Sequence, residues 1–549
     1  MSDTTDIRDP DEDAPVEAKR RVSARDVALW GARTTTGLIG AGAAVAIVGA
    51  AFLVTPPTWS ADPRAIEVVP EPATEILVCP GALLRLGDAS GQAASQASPL
   101  GDPSYAAAID DGDLALAPVA ASDAGTAGSA AAPHVASIAP GGNGTPAASA
   151  MQSQLLTGGE TAGLATAACT PPSSRSWLVA GATTLGRTTL VTLTNPTVVD
   201  AVVTLDLYGA SGAIEAPGLE GIAVPAGSQR VLSLAGFTIG EAAPVVHVTS
   251  TGGDVAAAIQ QSIIRTLTPG GIDLTTAQVP SDRLVIPGVV VAGEAALGSL
   301  VQGVEDSSDA KPVLRLFATA GVATRATVSF VPTGHTLADV VPEVPGADAP
   351  PTDAHSHADD EPVAISFEVD IPPGAVLERP VVGIPPGEYL VFVDADAPVV
   401  GAVRASVITD RGVDFAWFPP AAPLTDRTLL AAPPGAFEVE TPGAIVGLPS
   451  DAGPVVSAPT VSVVTTRLTL VLANPTAAPV TVTMAVDGVE RALEVPGGGF
   501  ATAQVPGGAT VSLDGTAGLS AVLRTEGPGI AASALPPPAS RATPVTVYP

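Results

Sequence analysis

The longest apolar stretch of the chain runs from Thr34 to Val54 and contains no charged residue. A helix of this length spans about 32 Å at 1.5 Å per residue, which is close to the hydrocarbon thickness of a bilayer. Trp30 and Trp59 flank the stretch at the levels where indole rings meet lipid headgroups. The pattern predicts one transmembrane helix over residues 34–54.

Basic residues precede this segment, and mainly acidic residues follow it. The basic residues are Lys19, Arg20, Arg21, Arg25 and Arg33. Because Lys and Arg are retained on the cytoplasmic side, residues 1–33 are predicted to be a disordered cytoplasmic tail of a cell-membrane protein whose C-terminal bulk is extracytoplasmic. A cleaved signal peptide is the alternative, but it usually has a shorter apolar core and a small-x-small cleavage site.

From about Ser174 onward, short β-branched runs alternate with Pro and Gly turns, which is typical of all-β proteins. In the clearest run, Pro479 to Asp487, alternate positions are apolar on one face and mostly polar on the other. The chain is therefore predicted to be all-β beyond its membrane segment.

Short landmarks recur in the same order and group the strands into units. Asn-Pro-Thr occurs at residues 195–197 and 474–476. A Gly-apolar-x sequence closes each unit: Gly271-Ile272-Asp273, Gly412-Val413-Asp414 and Gly529-Ile530-Ala531. The units are longer than the roughly 20–50 residues of one propeller blade or solenoid turn. We predict three tandem Ig-like β-sandwich modules, at 169–280, 281–424 and 425–549, with a β-propeller-like repeat as the alternative.

The segment before these modules has a different composition. No Lys or Arg occurs from Leu86 to Ser174, and Ala, Gly, Ser, Pro and Asp dominate. Side chains this small bury too little area to offset the ordering of the backbone. Residues 88–168 are therefore predicted to be a low-complexity mobile insertion, and residues 55–87 a stalk that includes a candidate first strand of module 1.

The only two cysteines, Cys79 and Cys169, both follow the predicted membrane segment. An oxidising exterior permits a disulfide between them. We predict this disulfide; two free thiols are the alternative.

The formal net charge of −31 narrows the range of partners. So acidic a chain repels phosphate backbones, which argues against nucleic acid as a partner. No set of nucleophile, base and acid is apparent in the sequence, so no catalytic residue and no cofactor is predicted.

The best candidate for a metal site is His355, His357 and Asp359, because imidazole and carboxylate groups suit a borderline ion such as zinc. These residues lie in a Pro-rich, acidic insertion at 343–362 of module 2. Nothing rigid in the sequence would preorganise them, so we predict a solvated flexible loop and no metal ion, with the metal site as the alternative.

The aromatic cluster 415–418 is the candidate ligand platform of the modules, because sugar rings pack on aromatic faces. Strand alternation places Phe415 and Trp417 on one face. Core packing or a contact between modules is the preferred interpretation of these two side chains, and the ligand platform is the alternative.

The order of acidic tail, Arg-flanked anchor, Cys79-Pro80-Gly81, low-complexity insertion and Asn-Pro-Thr repeats resembles an uncharacterised actinobacterial family of single-pass membrane proteins with a β-rich extracytoplasmic region. The resemblance covers nearly the whole chain. It implies a location in the cell envelope and carries no established activity.

We therefore expect a non-catalytic, membrane-anchored scaffold or interaction protein of the bacterial cell envelope, whose partner is an envelope protein or polysaccharide. A glycan-binding accessory protein for envelope polysaccharide synthesis or attachment is the alternative, and an outer-surface hydrolase has the least support. The sequence leaves the oligomeric state open.

Overall fold

The computed structural model describes thirteen stretches of the chain: 38–46, 66–68, 74–87, 96–126, 128–140, 146–158, 161–265, 268–293, 311–342, 363–409, 412–441, 460–536 and 545–547. The chain forms two compact units, Met1–Val69 with Pro544–Pro549, and Pro70–Thr543.

In the first unit, residues 38–46 are helical, and strand β1 (Ile66–Val68) pairs antiparallel with residues 545–547. The predicted transmembrane segment 34–54 is described only at 38–46, and the predicted tail 1–33 lies outside the described residues. Within the described ranges, no helix combines the length and the apolarity needed to cross a bilayer.

The second unit begins with an N-terminal module that contains nine strands. They are β2 (Glu75–Cys79), β3 (Leu84–Leu86), β4 (Ala97–Pro99), β5 (Ser104–Ile109), β6 (Leu114–Pro118), β7 (Ala121–Ser122), β8 (His134–Ile138), β9 (Ala148–Leu156) and β10 (Gly163–Ala168). Two three-stranded sheets, β2-β8-β6 and β10-β9-β5, form its body.

The described strands of module 1 are β11 (Arg175–Val179), β12 (Arg187–Asn195), β13 (Ala201–Gly209), β14 (Gly212–Ile214), β15 (Ile222–Val224), β16 (Ser228–Ser233), β17 (Val245–Gly252), β18 (Ala256–Arg265) and β19 (Thr268–Thr276). They include β13, in which buried residues alternate with exposed or partly exposed ones, and others that are buried almost throughout, such as β12 and β18. A 3-10 helix, Leu234–Gly236, follows β16.

Module 2 contains one strand that runs through both of its layers. Its strands are β20 (Ser281–Val291), β21 (Val313–Ala318), β22 (Thr324–Pro332), β23 (Val341–Pro342), β24 (Ile365–Ile371), β25 (Leu377–Pro380), β26 (Gly387–Thr409) and β27 (Gly412–Phe418). The first half of β26 pairs with β20 and β22, and its second half pairs with β21 and β27. A 3-10 helix, Leu337–Asp339, precedes β23.

Module 3 returns to two separate sheets and carries an added hairpin. Its strands are β28 (Arg427–Ala431), β29 (Ala436–Thr441), β30 (Thr460–Thr465), β31 (Arg467–Ala473), β32 (Val480–Val486), β33 (Val489–Val495), β34 (Phe500–Val505), β35 (Thr510–Asp514), β36 (Ser520–Glu526) and β37 (Ile530–Ala534). Strands β29 and β30 form the hairpin. The last strand of the chain, β38 (Val545–Val547), is the partner of β1.

The modules share one order of strand pairing. Their first layers are β11-β17-β13-β14, β20-β26-β22-β24 and β28-β35-β32-β33, and their second layers are β19-β18-β12-β16, β27-β26-β21-β25 and β37-β36-β31-β34. The N-terminal module repeats the first three strands of each layer. The described chain therefore contains four copies of this arrangement, where the sequence predicted three.

The closing strands of the four modules meet at the centre of the larger unit. Strand β10 packs against β19, β19 against β27, β27 against β37, and β37 against β10. The modules therefore close into a ring. Their cores are shared across the boundaries: Phe415 and Trp417 of module 2 complete the core of module 1, and Met151 and Ala168 of the N-terminal module complete that of module 3.

The Asn-Pro-Thr landmark has the same geometry in both modules that carry it. The side-chain amide of Asn195 donates to the carbonyl oxygens of Val199 (2.8 Å) and Val224 (3.0 Å), and its Oδ1 accepts from the Thr197 hydroxyl (2.7 Å). The amide of Asn474 repeats these bonds with Ala478, Val495 and Thr476. An Asx-type turn built on Asn and fixed by Pro thus ends the equivalent strands β12 and β31.

The prediction of an all-β chain is confirmed. The prediction of a mobile insertion at 88–168 is wrong for its described residues, because strands β4 to β10 lie there. Small side chains do not prevent ordering here, because this segment forms ladders with its own strands and buries glutamines that bond to backbone groups, as Gln152 does with Gly81 at 2.7 and 2.9 Å. The candidate first strand of module 1 is also reassigned: residues 75–79 pair with β8 of the N-terminal module.

Candidate functional site

The centre of the ring is built around the carboxyl group of Asp414 on β27. This side chain is buried, and its Oδ2 accepts hydrogen bonds from the backbone N–H groups of Leu164 (3.3 Å) and Ile530 (2.9 Å). Leu164 belongs to the N-terminal module and Ile530 to module 3. One carboxyl group of module 2 therefore connects three of the four modules.

Three glycines leave room for this carboxyl group. A Cβ atom on Gly163, Gly271 or Gly529 would lie less than 3.0 Å from a carboxyl oxygen of Asp414, closer than packing allows. Gly271 and Gly529 belong to the Gly-apolar-x landmarks, which the fold thus gathers at one point. Gly163-Leu164-Ala165 is a fourth copy of this landmark. The sequence-based prediction did not include it, although it shows the same Gly-apolar-x pattern.

Asp273, which holds the equivalent position in module 1, connects that module to module 2. Its Oδ2 accepts a hydrogen bond from the backbone N–H of Trp417 at 2.7 Å. The indole N–H of Trp417 in turn donates to Oε1 of Gln261 at 2.7 Å. Module 3 has Ala531 at this position of the landmark, so this carboxyl contact occurs twice in the ring.

A buried arginine strengthens the same boundary. The guanidinium group of Arg315, on β21, pairs with Glu378 and lies over the ring of Trp417 at 4.5 Å from its centroid. It also donates to three backbone carbonyl oxygens of module 1, those of Gly181, Pro244 and Ala242, at 3.0, 3.1 and 2.9 Å. The planar, five-donor group of arginine suits such a set of acceptors, whereas lysine would satisfy fewer of them.

The predicted residues Phe415 and Trp417 do share a face, and both are fully buried. The ligand-platform interpretation of these rings is therefore wrong, because neither face is available to a sugar. Both rings instead pack in the hydrophobic core that modules 1 and 2 share. The sequence did not reveal this burial because the covering side chains come from module 1.

Both central carboxyl groups titrate at unusually high pH. Burial raises the pKa of Asp414 to about 8, although hydrogen bonds from Ile530, Phe415 and Leu164 oppose the increase and the negative charge of Asp273 adds to it. Burial likewise raises the pKa of Asp273 to about 7. Each group is charged only at the cost of removing a carboxylate from water.

We expect the protein to lose stability as the pH rises from about 4 to about 8. In the unfolded chain both carboxyl groups release their protons near pH 4, whereas in the folded chain they keep them until about pH 7 and 8. Between these limits the folded state binds more protons, so the free energy of unfolding falls with pH. Thermal melts of the full chain at constant ionic strength measure this fall.

Replacement of Asp414 by Asn, which stays neutral, is expected to flatten the pH dependence. The exposed Asp487→Asn variant is the matched control, because Asn also tolerates the positive φ of 48° found there. If the stability of Asp414→Asn depended on pH as steeply as that of the wild type, the raised pKa assigned to Asp414 would be wrong.

A second feature is an open groove of about 600 Å³ on module 1, lined by residues 205–208 and 213–220. The half-buried ring of Tyr208 packs against Phe317 at 4.4 Å between centroids. Exposed carboxylates of Asp206, Glu215 and Glu220 surround it. Burial and the Asp206 charge raise the pKa of Tyr208, so its hydroxyl remains a donor at neutral pH. An aromatic ring among acceptors fits a hydroxyl-rich ligand.

The groove was missed in the sequence because its carboxylates and its aromatic ring are separated by turns, and only the antiparallel return of β14 beside β13 brings them together.

The other predicted site residues have different outcomes. Cys79 and Cys169 form the predicted disulfide, in the core of the N-terminal module. His355, His357 and Asp359 lie outside the described residues, so the prediction of a solvated loop without a metal ion stays a prediction.

The fold defines an all-β protein of repeated two-layer modules joined by buried carboxyl groups. No curated protein matches the chain, and neither does any solved structure. The model of a family of unknown function, DUF5719, matches residues 119–441, more than half of the chain. The chain therefore belongs to the DUF5719 family. The match begins within the N-terminal module, in the segment that the sequence had predicted to be a mobile insertion.

Proposed function

We propose that this chain is a non-catalytic scaffold or interaction protein of a bacterial cell envelope, anchored by residues 34–54 with its C-terminal bulk outside. The observation that carries the proposal is the buried Cys79–Cys169 disulfide. Disulfides persist in oxidising compartments and are rare in the cytosol. The basic residues before the apolar segment support the same orientation.

The proposal extends to architecture and origin. We infer that each repeated unit is a β-sandwich module of Ig-like type, and that the chain is one of the single-pass actinobacterial proteins whose layout it resembles. The paired layers with a common core support the sandwich assignment. The propeller alternative is disfavoured, because no sheet of four or more strands among the described residues is a meander of four consecutive strands, as a propeller blade is.

Cysteine labelling in intact cells tests the location. Leu185→Cys places a thiol at a position that is 93% exposed, and Ser2→Cys places one in the N-terminal tail. A membrane-impermeant maleimide is expected to label Leu185→Cys in intact cells and Ser2→Cys only after lysis. The reverse pattern would exclude an extracytoplasmic role.

Glycan binding is the second candidate function, and the Tyr208 groove is the observation that favours it. Hydroxyl groups of a polysaccharide would bond to Asp206, Glu215 and Glu220 while a sugar ring packs on Tyr208. The ligand would be an envelope polysaccharide.

Substitution of Tyr208 by Ala is expected to abolish retention of the full chain on purified envelope polysaccharide, because the packing surface is lost. Val202→Ala, at a half-exposed position on the same strand, is the control and should bind like the wild type. If Tyr208→Ala and Val202→Ala were retained equally on the polysaccharide, the groove would not be the binding site. Equal melting temperatures would show that both variants fold.

A further inference from the structure

Among its described residues, the N-terminal module lacks a strand that the other three modules possess. In modules 1, 2 and 3, an antiparallel neighbour covers the outer edge of the third strand of the first layer: β14 covers β13, β24 covers β22 and β33 covers β32. The equivalent strand in the N-terminal module is β6, which pairs with β8 on its inner edge. Within the described ranges, no strand pairs with its outer edge.

The backbone direction of β6 shows which groups this edge presents. The carbonyl oxygen of Asp113 accepts from Ala139 at 3.1 Å, and the N–H of Val119 donates to Pro133 at 2.9 Å, so both point toward β8. Because backbone groups alternate in direction along a strand, those of Leu114, Leu116 and Pro118 point outward. Proline has no N–H to leave unpaired there.

The side chains of β6 also suit an edge to which a further strand can add. Leu114 and Leu116 face the core of their module but remain partly exposed, whereas the inward residues of the covered strand β13 are buried. No charged residue lies within β6, although charges, especially Lys, are a common protection of exposed edges. An added strand would cover both leucines and satisfy the outward backbone groups.

The charged residues near β6 indicate what kind of segment could pair with its outer edge. Exposed Asp111 and Asp113 lie just before β6, and residues 88–168 contain no Lys or Arg. An antiparallel incoming strand would place its C-terminal end beside these two carboxylates. A second copy of this acidic chain would bring like charges together, whereas a strand ending in Lys or Arg would pair with them.

We propose that the outer edge of β6 is an acceptor site for an extended segment of a partner protein, which adds as an antiparallel strand and carries basic residues at its C-terminal end. Strand addition of this kind takes its affinity from main-chain hydrogen bonds and its selectivity from alternate side chains. The inference deepens the proposed interaction role by naming the partner's chemistry.

A synthetic peptide, Thr-Val-Thr-Val-Thr-Lys-Arg, tests the site on the purified full chain. Amide hydrogen exchange resolved to single residues is expected to slow about tenfold at Leu114 and Leu116 when the peptide is present at ten times its Kd. Methylation of the peptide amides that face β6 should abolish this protection, and methylation of the alternate amides should not. The double variant Asp111→Asn, Asp113→Asn should bind more weakly, while Asp487→Asn should bind like the wild type.

Three results would overturn the proposal. Protection of Leu114 and Leu116 without peptide would show that a segment of this chain already covers the edge. Concentration-dependent protection without peptide would identify a second copy as the occupant. Equal binding of the two methylated peptides would exclude strand addition. Because the assay uses purified protein, its failure is separate from failure of the proposed location, which the cysteine labelling tests.

Discussion

Replacement of Trp417 by Ala is expected to reduce the free energy of unfolding by about 3–5 kcal/mol, the usual cost of deleting a buried aromatic side chain. The indole ring is fully buried where modules 1 and 2 meet. Its loss would also leave Oε1 of Gln261 without its 2.7 Å donor and remove the ring beneath the guanidinium group of Arg315. Each of these changes weakens the contact between the two modules.

Urea unfolding of the full chain, followed by circular dichroism, measures this loss. Trp417→Phe keeps most of the buried ring but lacks the N–H donor, so an intermediate loss is expected. Val489→Ala is the surface control, because Val489 is 75% exposed. If Trp417→Ala unfolded at the same urea concentration as the wild type, the assignment of this ring to the contact between modules would be wrong.

Removal of the disulfide is the second large effect. Cys79 and Cys169 are separated by 90 residues, and chain entropy sets an upper value of roughly 4 to 5 kcal/mol for a link of this length. We expect the double variant Cys79→Ala, Cys169→Ala to lose a large part of this amount. The loss should appear first in the N-terminal module, whose core contains both sulfur atoms.

Hydrogen exchange with and without reductant locates the effect. Reductant should increase exchange in the wild-type strands β2 and β9 and leave the alanine double variant unchanged. If reductant increased hydrogen exchange equally in the wild type and in the alanine double variant, its effect would not come from the Cys79–Cys169 disulfide.

Much of the fold follows from local patterns. Alternation in runs such as β32 and the shared Asn-Pro-Thr turns correctly predict strands and their repetition in modules 1 and 3. The same reasoning failed for strands β4 to β10 of the N-terminal module, because they are rich in Ala and Ser where the other modules use Val, Leu and Ile. Hydrophobicity along the chain carries little signal there, although the pairing is the same.

The candidate sites show a similar division. The cysteine pair was predictable because the chain has only two cysteines and both follow the predicted membrane segment. The burial of Trp417 was not predictable, because its partners Gln261 and Asp273 lie more than 100 residues away along the chain. The Tyr208 groove and the open edge of β6 depend on which strands pair, and local sequence does not report that.

By itself, the sequence determined the all-β class, the repetition of strands and turns, and the cysteine pair, because these depend on side-chain periodicity, on the φ preferences of Pro and Gly, and on residue chemistry. Only the tertiary structure decided that four modules close into a ring around Asp414, and that Phe415 and Trp417 are covered while β6 is not. Those outcomes depend on contacts between residues far apart in the chain, and local side-chain patterns do not report such contacts.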